Sequence, residues 1–164
     1  YAGFTFAIGV TPSSNIGGEP QVIVEQSGRW KLQSSAEQGL SLNILGQAIH
    51  APPLPLGQCS QLVISSHFNF TTIAPKNNWS IIDIYINGER VNSVRIQSPP
   101  LQTWGYANPT YVGLSASGGE PFLGELSRPI ILNERVVRDN HSSLNGNGIS
   151  SVPPLCLPTA TKPR

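Results

Sequence analysis

The feature that most constrains the fold is the spacing of turn-forming residues. No stretch of a dozen residues places apolar side chains along one helix face without an interrupting proline or glycine. Short apolar or alternating runs recur instead between turn residues, as is typical of strands. The nine runs are Phe4–Val10, Gln21–Glu25, Arg29–Gln33, Leu40–Ile44, Gln61–Asn69, Ile81–Ile86, Arg90–Ile96, Tyr111–Leu114 and Phe122–Leu132. They predict one all-β domain, built as a sandwich or a barrel.

The clearest local prediction is a hairpin centred on Asn87-Gly88. Both residues tolerate positive φ, which a tight turn between twisted antiparallel strands requires. In the first arm, Ile82, Ile84 and Ile86 alternate with more polar residues, so one face of that arm is predicted to be core.

Two segments lack a strand pattern. The three prolines between Ala51 and Gly57 predict an extended loop that crosses between sheets. From about Asp139, Asn, Ser, Gly and then Pro dominate to the end of the chain. The sequence therefore predicts a sandwich over residues 1–138 and a tail over residues 139–164.

The two cysteines, Cys59 and Cys156, are too far apart in sequence for a zinc or redox motif, which leaves two buried thiols or one disulfide. Polarity comes mainly from uncharged residues, and Asn-x-Ser/Thr sequons at Asn69, Asn78 and Asn140 are candidate N-glycosylation sites. Both features favour an extracellular compartment. A disulfide is therefore predicted, and it would staple the tail to the domain.

Charge and hydropathy argue against two classes of partner. Ten basic residues balance nine acidic ones, and only 12% of the residues are charged. No basic cluster is available to neutralise phosphates, so no nucleic-acid partner is predicted. The sequence contains no run of about 20 apolar residues, so membrane insertion is not predicted. The chain contains no Met, and its start at Tyr1 has no leader pattern, so we expect a mature product or a fragment of an exported protein.

Seven segments of the sequence follow one another in an order and at spacings that can be compared with a known family. They are Phe4–Ser14, Gly28–Leu32, Leu40–Ile44, Leu56–Ile64, Ile84–Glu89, Tyr111–Leu114 and Phe122–Asn133. Their order and spacing resemble the laminin-G-like, or concanavalin A-like, jelly-roll family over roughly residues 4–137. The resemblance implies a two-sheet antiparallel β-sandwich with an extracellular recognition function.

The sequence departs from the family pattern at its start. Family domains commonly carry a strand before the Phe-rich opening strand, and this chain begins too late to provide it. A vacant sheet edge is therefore expected. The tail, a missing upstream segment or a neighbouring copy could fill such an edge.

A second departure concerns metals. Many relatives bind calcium through carboxylates at loop tips, whereas the only aspartates here are Asp83 and Asp139. Because calcium prefers several oxygen ligands with carboxylates among them, a calcium site is disfavoured, although backbone and Asn oxygens could serve. No cofactor is predicted.

No candidate constellation for catalysis emerges, so the chain is predicted not to be an enzyme. Glycosidases of this fold need two carboxylates across the scissile bond. The glutamates lie scattered mostly at turns, where solvated charges are expected; they include Glu25, Glu37, Glu89, Glu120, Glu125 and Glu134.

Two other kinds of catalytic residue also fail to form a pattern. Ser115 stands in a sequence that resembles a nucleophile elbow, but the final glycine and the following helix are missing, so it is predicted to be a turn residue. His50, His67 and His141 lie in unrelated segments without metal-ligand spacing.

Recognition by surface is the remaining possibility. The loop from Leu101 to Pro109 contains Trp104 and Tyr106 together with the amides Gln102 and Asn108. Aromatic rings can stack on sugar CH faces while amides bind hydroxyls, so these four residues are the predicted ligand-binding site. In the alternative interpretation, the two rings fold back as a plug over an open end of the sandwich.

Arginines offer a further contact. Arg29, Arg90 and Arg95 could bind an acidic sugar, as an Arg does in sialic-acid-binding relatives, or could be solvated charges on a sheet face.

Three functions follow as hypotheses. The first is a secreted or cell-surface module that binds a glycan or an extracellular protein. The second is a structural subunit of an extracellular filament or coat, assembled with copies of itself through an open edge. The third is an accessory, lectin-like domain of a longer glycosidase chain such as a sialidase.

Overall fold

Alternating apolar residues between turns form the strands of this protein. A computed structural model describes residues 3–13, 19–69, 79–97, 109–132 and 155–156. Eleven strands lie within these ranges. They are β1 Gly3–Pro12, β2 Gln21–Gln26, β3 Trp30–Ser35, β4 Gly39–Ile44, β5 Gln47–Ala51, β6 Ser60–Asn69, β7 Trp79–Ile86, β8 Glu89–Gln97, β9 Thr110–Val112, β10 Gly124–Leu126 and β11 Ile130–Leu132. The described residues contain no helix, so TM helices are also absent from these ranges.

The strands form two sheets, and every neighbouring pair is antiparallel. The six-stranded sheet has the order β10-β1-β6-β7-β8, with β11 also pairing with β1. The five-stranded sheet has the order β5-β4-β3-β2-β9. The fold is therefore an all-β, two-sheet antiparallel sandwich of the jelly-roll type, as predicted.

The opening strand β1 is paired along both of its edges. On one side it pairs with β6 from Gly3 to Val10. On the other side β11 pairs with Thr5–Ala7 and β10 pairs with Val10–Pro12. No vacant edge lies beside the opening strand, because two short strands from later in the same domain occupy it.

The core lies between the sheets and takes one face of each long strand. Its centre is aromatic: the Phe6 ring meets the Trp30 ring nearly edge-on at a centroid distance of 5.4 Å, and Phe4 lies 6.4 Å from the same indole. The largest fully buried side chains are aliphatic residues of both sheets together with Phe6, namely Ile8, Ile23, Leu32, Leu40, Leu42, Ile44, Leu62, Ile64, Ile82, Ile84 and Ile96. This burial, at roughly 25 cal/mol per Å² of apolar surface, holds the two sheets together.

The predicted hairpin forms between β7 and β8. Asn87 and Gly88 have φ values of 52° and 86°, as a two-residue turn with two positive φ angles requires. Ile82 and Ile84 are fully buried in the core. The other face of β7 is also buried, since Tyr85 packs in a second small apolar cluster on the outside of the six-stranded sheet.

Two strand predictions need correction. β5 was missed because its residues include a single large apolar side chain and because its turn, Leu45-Gly46, places a leucine at a φ of 51°. The predicted single strand Phe122–Leu132 is two strands instead. Pro129, which has no N–H for a sheet ladder, lies between them.

Cys59 and Cys156 form a disulfide. It carries Leu155 onto the outside of the six-stranded sheet, against Ala7 and Val63. At Gly9 a Cβ atom would lie 2.8 Å from the carbonyl oxygen of Leu155, so the close approach of this segment requires glycine. The remainder of the predicted tail lies outside the described residues.

Candidate functional site

The outward side of the five-stranded sheet carries a row of polar side chains. In register across four strands, Tyr111 of β9 lies opposite Glu25 of β2, Glu25 opposite Lys31 of β3, and Lys31 opposite Asn43 of β4. Cross-strand partners point to the same side of a sheet. We call this row the polar face, and Ala48 of β5 completes it.

The same strands explain why the polar face points outward. The residues next to it in sequence, Val24, Leu32, Leu42 and Val112, pack in the core, so the intervening residues must point away from it. A second row of the polar face consists of Gln33, Ser41 and His50. Asn43 and His50 are exposed and Gln33 and Ser41 are partly exposed, so this face is open to solvent.

Two carboxylates converge on one ammonium group at the centre of the polar face. Lys31 Nζ lies 2.8 Å from Glu120 Oε2 and 3.7 Å from Glu25 Oε2. The Glu25 side chain is only 14% exposed, whereas that of Glu120 is 44% exposed. The interpretation of both glutamates as solvated turn charges is therefore wrong for Glu25, which is a paired strand residue.

A tight loop after β9, residues 113–120, fixes this cluster. Its backbone is tied to β2 by hydrogen bonds from Gly113 N to Ile23 O and from Val22 N to Glu120 O, at 2.9 and 3.0 Å. Its Ala116 N–H donates to Glu25 Oε2 at 3.1 Å. The loop thus positions Glu120 and holds the Glu25 carboxylate in place.

Within this loop Ser115 has a structural role. Its hydroxyl accepts a hydrogen bond from Gly119 N at 3.1 Å and shares another with Ser117 Oγ at 2.8 Å. Ser115 is buried. These contacts agree with its prediction as a turn residue.

The carboxylates affect the ionisation of Lys31. The hydrogen bond to Glu120 is the main cause that raises the pKa of Lys31 above its ordinary value, and the charge of Glu25 adds to the effect, against the opposing effect of burial. Lys31 is therefore charged at neutral pH, and its ammonium group is occupied by two protein carboxylates.

The four ligand-binding residues predicted from the sequence, Gln102, Trp104, Tyr106 and Asn108, lie outside the described residues. The described part of the chain resumes at Pro109, just before β9, and the carbonyl of Pro109 accepts a hydrogen bond from Ser27 N at 3.3 Å. The sequon residues Asn78 and Asn140 also lie outside the described ranges. Asn69 is the last residue of β6.

The three arginines predicted to contact an acidic sugar lie on different sheets: Arg29 directly precedes β3 of the five-stranded sheet and is partly buried. Arg90 and Arg95 belong to β8 of the other sheet. Arg90 Nη1 lies 3.9 Å from Asp83 Oδ1, and the Arg95 guanidinium lies 5.7 Å from the centroid of the Trp79 ring. Both arginines already have partners within the protein.

No group of three or more His, Cys, Asp or Glu side chains that could hold a metal ion occurs within the described ranges. Asp83 is buried in the middle of β7 rather than placed at a loop tip. The two carboxylates that do share a face, Glu25 and Glu120, are both bound to Lys31.

A cavity of about 610 Å³ lies on the six-stranded sheet beside the disulfide. Its walls include Thr11, Glu125, Leu126 and Leu155. It has the size of a small-molecule site. Among the residues that line it, Glu125 is the one charged group and none is aromatic, so the polar face is the better candidate for recognition.

Sequence reasoning missed the polar face, although a signal was present. Lys31 and Gln33 flank Leu32, and Ser41 and Asn43 flank Leu42, which is the period-two alternation of a half-buried strand. The register that aligns these strands could not be predicted from the sequence. Tyr111, which pairs with Glu25, lies 86 residues further along the chain.

Comparisons with solved structures support the fold, whereas sequence comparisons find no match. The sequence matches no protein-family profile and no curated protein. Among solved structures, the chain is similar to domain 4 of AbnA, a GH43 extracellular arabinanase from Geobacillus stearothermophilus, in complex with arabinotriose. That likeness has a TM-score of 0.51 and 16% identity, and it covers 79% of this chain but 59% of the arabinanase domain chain.

A second similar structure is the CBM40 domain of the Ruminococcus gnavus IT-sialidase bound to sialyllactose. The TM-score is 0.54 and the identity is 14%, with 84% of this chain and 80% of that chain covered. Both likenesses support the jelly-roll β-sandwich, and neither is specific to the laminin-G branch of it. At these identities they establish the fold alone.

Proposed function

We propose that this chain is a non-catalytic carbohydrate-binding module that takes an oligosaccharide across the polar face. The observation that carries the proposal is the row Tyr111, Glu25, Lys31 and Asn43, which places an aromatic ring, two hydrogen-bonding charges and an amide side by side on an open sheet. Strands in a sheet lie about 4.8 Å apart, so the row from β9 to β5 spans roughly 19 Å. An extended oligosaccharide fits a site of this length.

The chemistry of the row suits sugars. An aromatic ring offers an apolar surface to the CH face of a sugar, and the amide and carboxylate oxygens accept hydrogen bonds from its hydroxyls. Tyr111 is half-buried, so packing in the sheet restricts the ring before a ligand arrives. A pre-positioned ring loses little conformational entropy on binding.

The neighbouring structures support this proposal. One is a domain in complex with arabinotriose, and the other is a domain bound to sialyllactose. Trp104 and Tyr106 lie shortly before β9 in the sequence, and we propose that these two rings, with Gln102 and Asn108, extend the same site.

Replacement of Tyr111 by Ala is expected to weaken oligosaccharide binding about tenfold, because an aromatic contact contributes on the order of 1 kcal/mol. Tyr111→Phe keeps the ring and is expected to retain most of the affinity. Isothermal titration of the strongest ligand from an oligosaccharide array measures both. Ser93→Ala, on the exposed edge of the other sheet, is the surface control.

Thermal unfolding of each variant separates binding from stability. Equal affinity of wild type and Tyr111→Ala, with both folded, would show that the polar face is not the site. A loss confined to Trp104→Ala would instead assign binding to the aromatic loop.

The likenesses favour one alternative more than the other. Both similar domains come from glycosidases, an arabinanase and a sialidase, which supports an accessory domain of a longer enzyme as the second candidate. The structural-subunit hypothesis loses its main argument, because the edge beside β1 is occupied.

We further propose that the protein is secreted, is a laminin-G-like member of the jelly-roll fold, and acts at cell surfaces or on extracellular glycans. The disulfide supports an oxidising compartment. Glycosylation at Asn69, Asn78 and Asn140 is part of the same proposal, which mass spectrometry of the native protein would test.

A further inference from the structure

Glycines line the cavity beside the disulfide where chain segments approach one another most closely. Gly9 of β1, Gly124 of β10 and Gly57 of the loop before β6 all belong to its lining. A Cβ atom at Gly9 would lie 2.8 Å from the carbonyl oxygen of Leu155, and one at Gly124 would overlap the carbonyl oxygen of Thr11. Because these positions carry no side chains, a volume of about 610 Å³ stays open, which is the size of a small-molecule site.

Glu125 is the charged residue among those that line the cavity. Its side chain is exposed, and none of the ion pairs formed by the described residues includes it. Arg128, three positions further along the chain, neither lines the cavity nor pairs with Glu125. The described residues therefore leave this negative charge uncompensated, and charge complementarity favours a cationic ligand.

Thr11 lies beside this carboxylate. The two residues are cross-strand partners in β1 and β10, and such partners point to the same side of a sheet with Cβ atoms about 5 Å apart. Because the neighbouring Val10 packs in the core, this side is the outward one. An ammonium group has three donors and no acceptor, so a carboxylate and a hydroxyl oxygen suit it together. Glu125 and Thr11 thus form the polar end of the cavity.

The rest of the cavity is mainly apolar, with Pro12, Leu126 and Leu155 among the residues that line it. Leu56 and Leu123, each 47% exposed, directly precede two of its glycines. Backbone hydrogen bonds of 2.8 and 2.9 Å hold the segments of both leucines against the end of β1. Exposed apolar side chains that gather at one place mark recognition surfaces.

We propose that this cavity is a second binding site and that its ligand is an alkylammonium group, a primary ammonium ion on a short apolar chain. The ammonium group binds Glu125 and Thr11, and the chain lies along Pro12 and Leu155. A free alkylamine and a lysine side chain of a partner protein share this chemistry. The site lies on the sheet that does not carry the polar face, so it goes beyond the proposed function and does not depend on it.

Isothermal titration with three probes of equal chain length tests this proposal. Hexylamine, hexanol and hexanoate present an ammonium, a hydroxyl and a carboxylate group at neutral pH. Hexylamine is expected to bind about threefold to fivefold more tightly than hexanol, because an exposed ion pair contributes about that much, and hexanoate is expected to bind most weakly. Equal affinities for amine and alcohol, or no binding of hexylamine, would overturn the proposal.

Variants locate the site. Glu125→Gln keeps the shape of the side chain and removes its charge, so it is expected to abolish the preference for the amine and to leave the affinity for hexanol unchanged. Glu37→Gln, which removes an exposed carboxylate from the β3–β4 turn of the other sheet, is the matched control and should keep the preference. A preference that survives in Glu125→Gln contradicts the proposed site.

Thr11→Tyr places a ring in the cavity and is expected to weaken binding of hexylamine and hexanol at least about tenfold. Thermal unfolding checks that this variant is folded; if it is not, the comparison of Glu125→Gln with Glu37→Gln still decides. Unchanged binding to folded Thr11→Tyr would show that the probes bind elsewhere.

N-acetyl-lysine methylamide distinguishes the two sources of the ammonium group, because it attaches the lysine side chain to a peptide backbone. Tighter binding of this compound than of hexylamine supports the site and assigns it to a lysine of a partner protein. Binding of hexylamine alone supports the site and assigns it to a free amine. No oligosaccharide takes part in these measurements, so failure of this proposal leaves the proposed carbohydrate site unaffected.

Discussion

Removal of the Cys59–Cys156 bond is expected to lower the free energy of unfolding by about 4 kcal/mol. The two cysteines are 97 residues apart in sequence, so the bond closes a long loop in the unfolded chain. A long closed loop restricts the unfolded ensemble strongly, and most of the stabilisation arises there. The change is a replacement of both cysteines by serine, measured by urea unfolding.

The disulfide also acts in the folded state. It holds Leu155 against Ala7, Val63 and Tyr85 on the outside of the six-stranded sheet. Leu155→Ala keeps the bond and removes this packing, so comparison of the two variants separates the two contributions. A loss below about 1 kcal/mol in the double-serine variant would contradict the expected effect, and labelling of thiols in the unfolded, unreduced protein would contradict the bond itself.

Replacement of Phe6 by Ala is expected to cost about 3 to 5 kcal/mol of stability. Phe6 is completely buried, and its ring packs nearly edge-on against Trp30 at 5.4 Å, where the two sheets meet. Its removal leaves a cavity that the surrounding strands cannot close, because β1 is fixed by partners on both sides. Thermal unfolding should show a decrease of roughly 6 to 20 °C in the midpoint.

Two further variants make this result interpretable. Phe6→Leu keeps most of the apolar volume and is expected to lose much less stability than Phe6→Ala. Leu45→Ala removes a similar apolar side chain from an exposed turn, and a change within about 0.5 kcal/mol is expected there. If Phe6→Ala lowers stability no more than Leu45→Ala does, the position of Phe6 at the centre of the core would be contradicted.

Strand positions could be predicted because period-two alternation is a local property. All nine predicted runs overlap strands, and the Asn87-Gly88 turn formed as its residue types require. β5 escaped detection because Leu45 occupies a position where Asn, Asp or Gly is usual, so the turn chemistry gave no sign of a hairpin. Packing of Ile49 in the core outweighs that unfavourable turn residue.

The candidate site was less predictable, because it depends on register between distant strands. Glu25 and Glu120 are 95 positions apart, and nothing local shows that both approach Lys31. Aromatic and amide residues concentrated in one loop, as at Trp104 and Asn108, are visible in a sequence. A recognition surface assembled from single residues of four strands becomes visible when the sheet order is known.

The most direct test of the proposed function is an NMR titration of uniformly labelled protein with the oligosaccharide that binds best on the array. The perturbed amides are expected to cluster on β2, β3, β4 and β9 and in residues 113–120, with the largest changes around Lys31 and Tyr111. Perturbations confined to the six-stranded sheet, near Arg95 or beside the disulfide cavity, would contradict it.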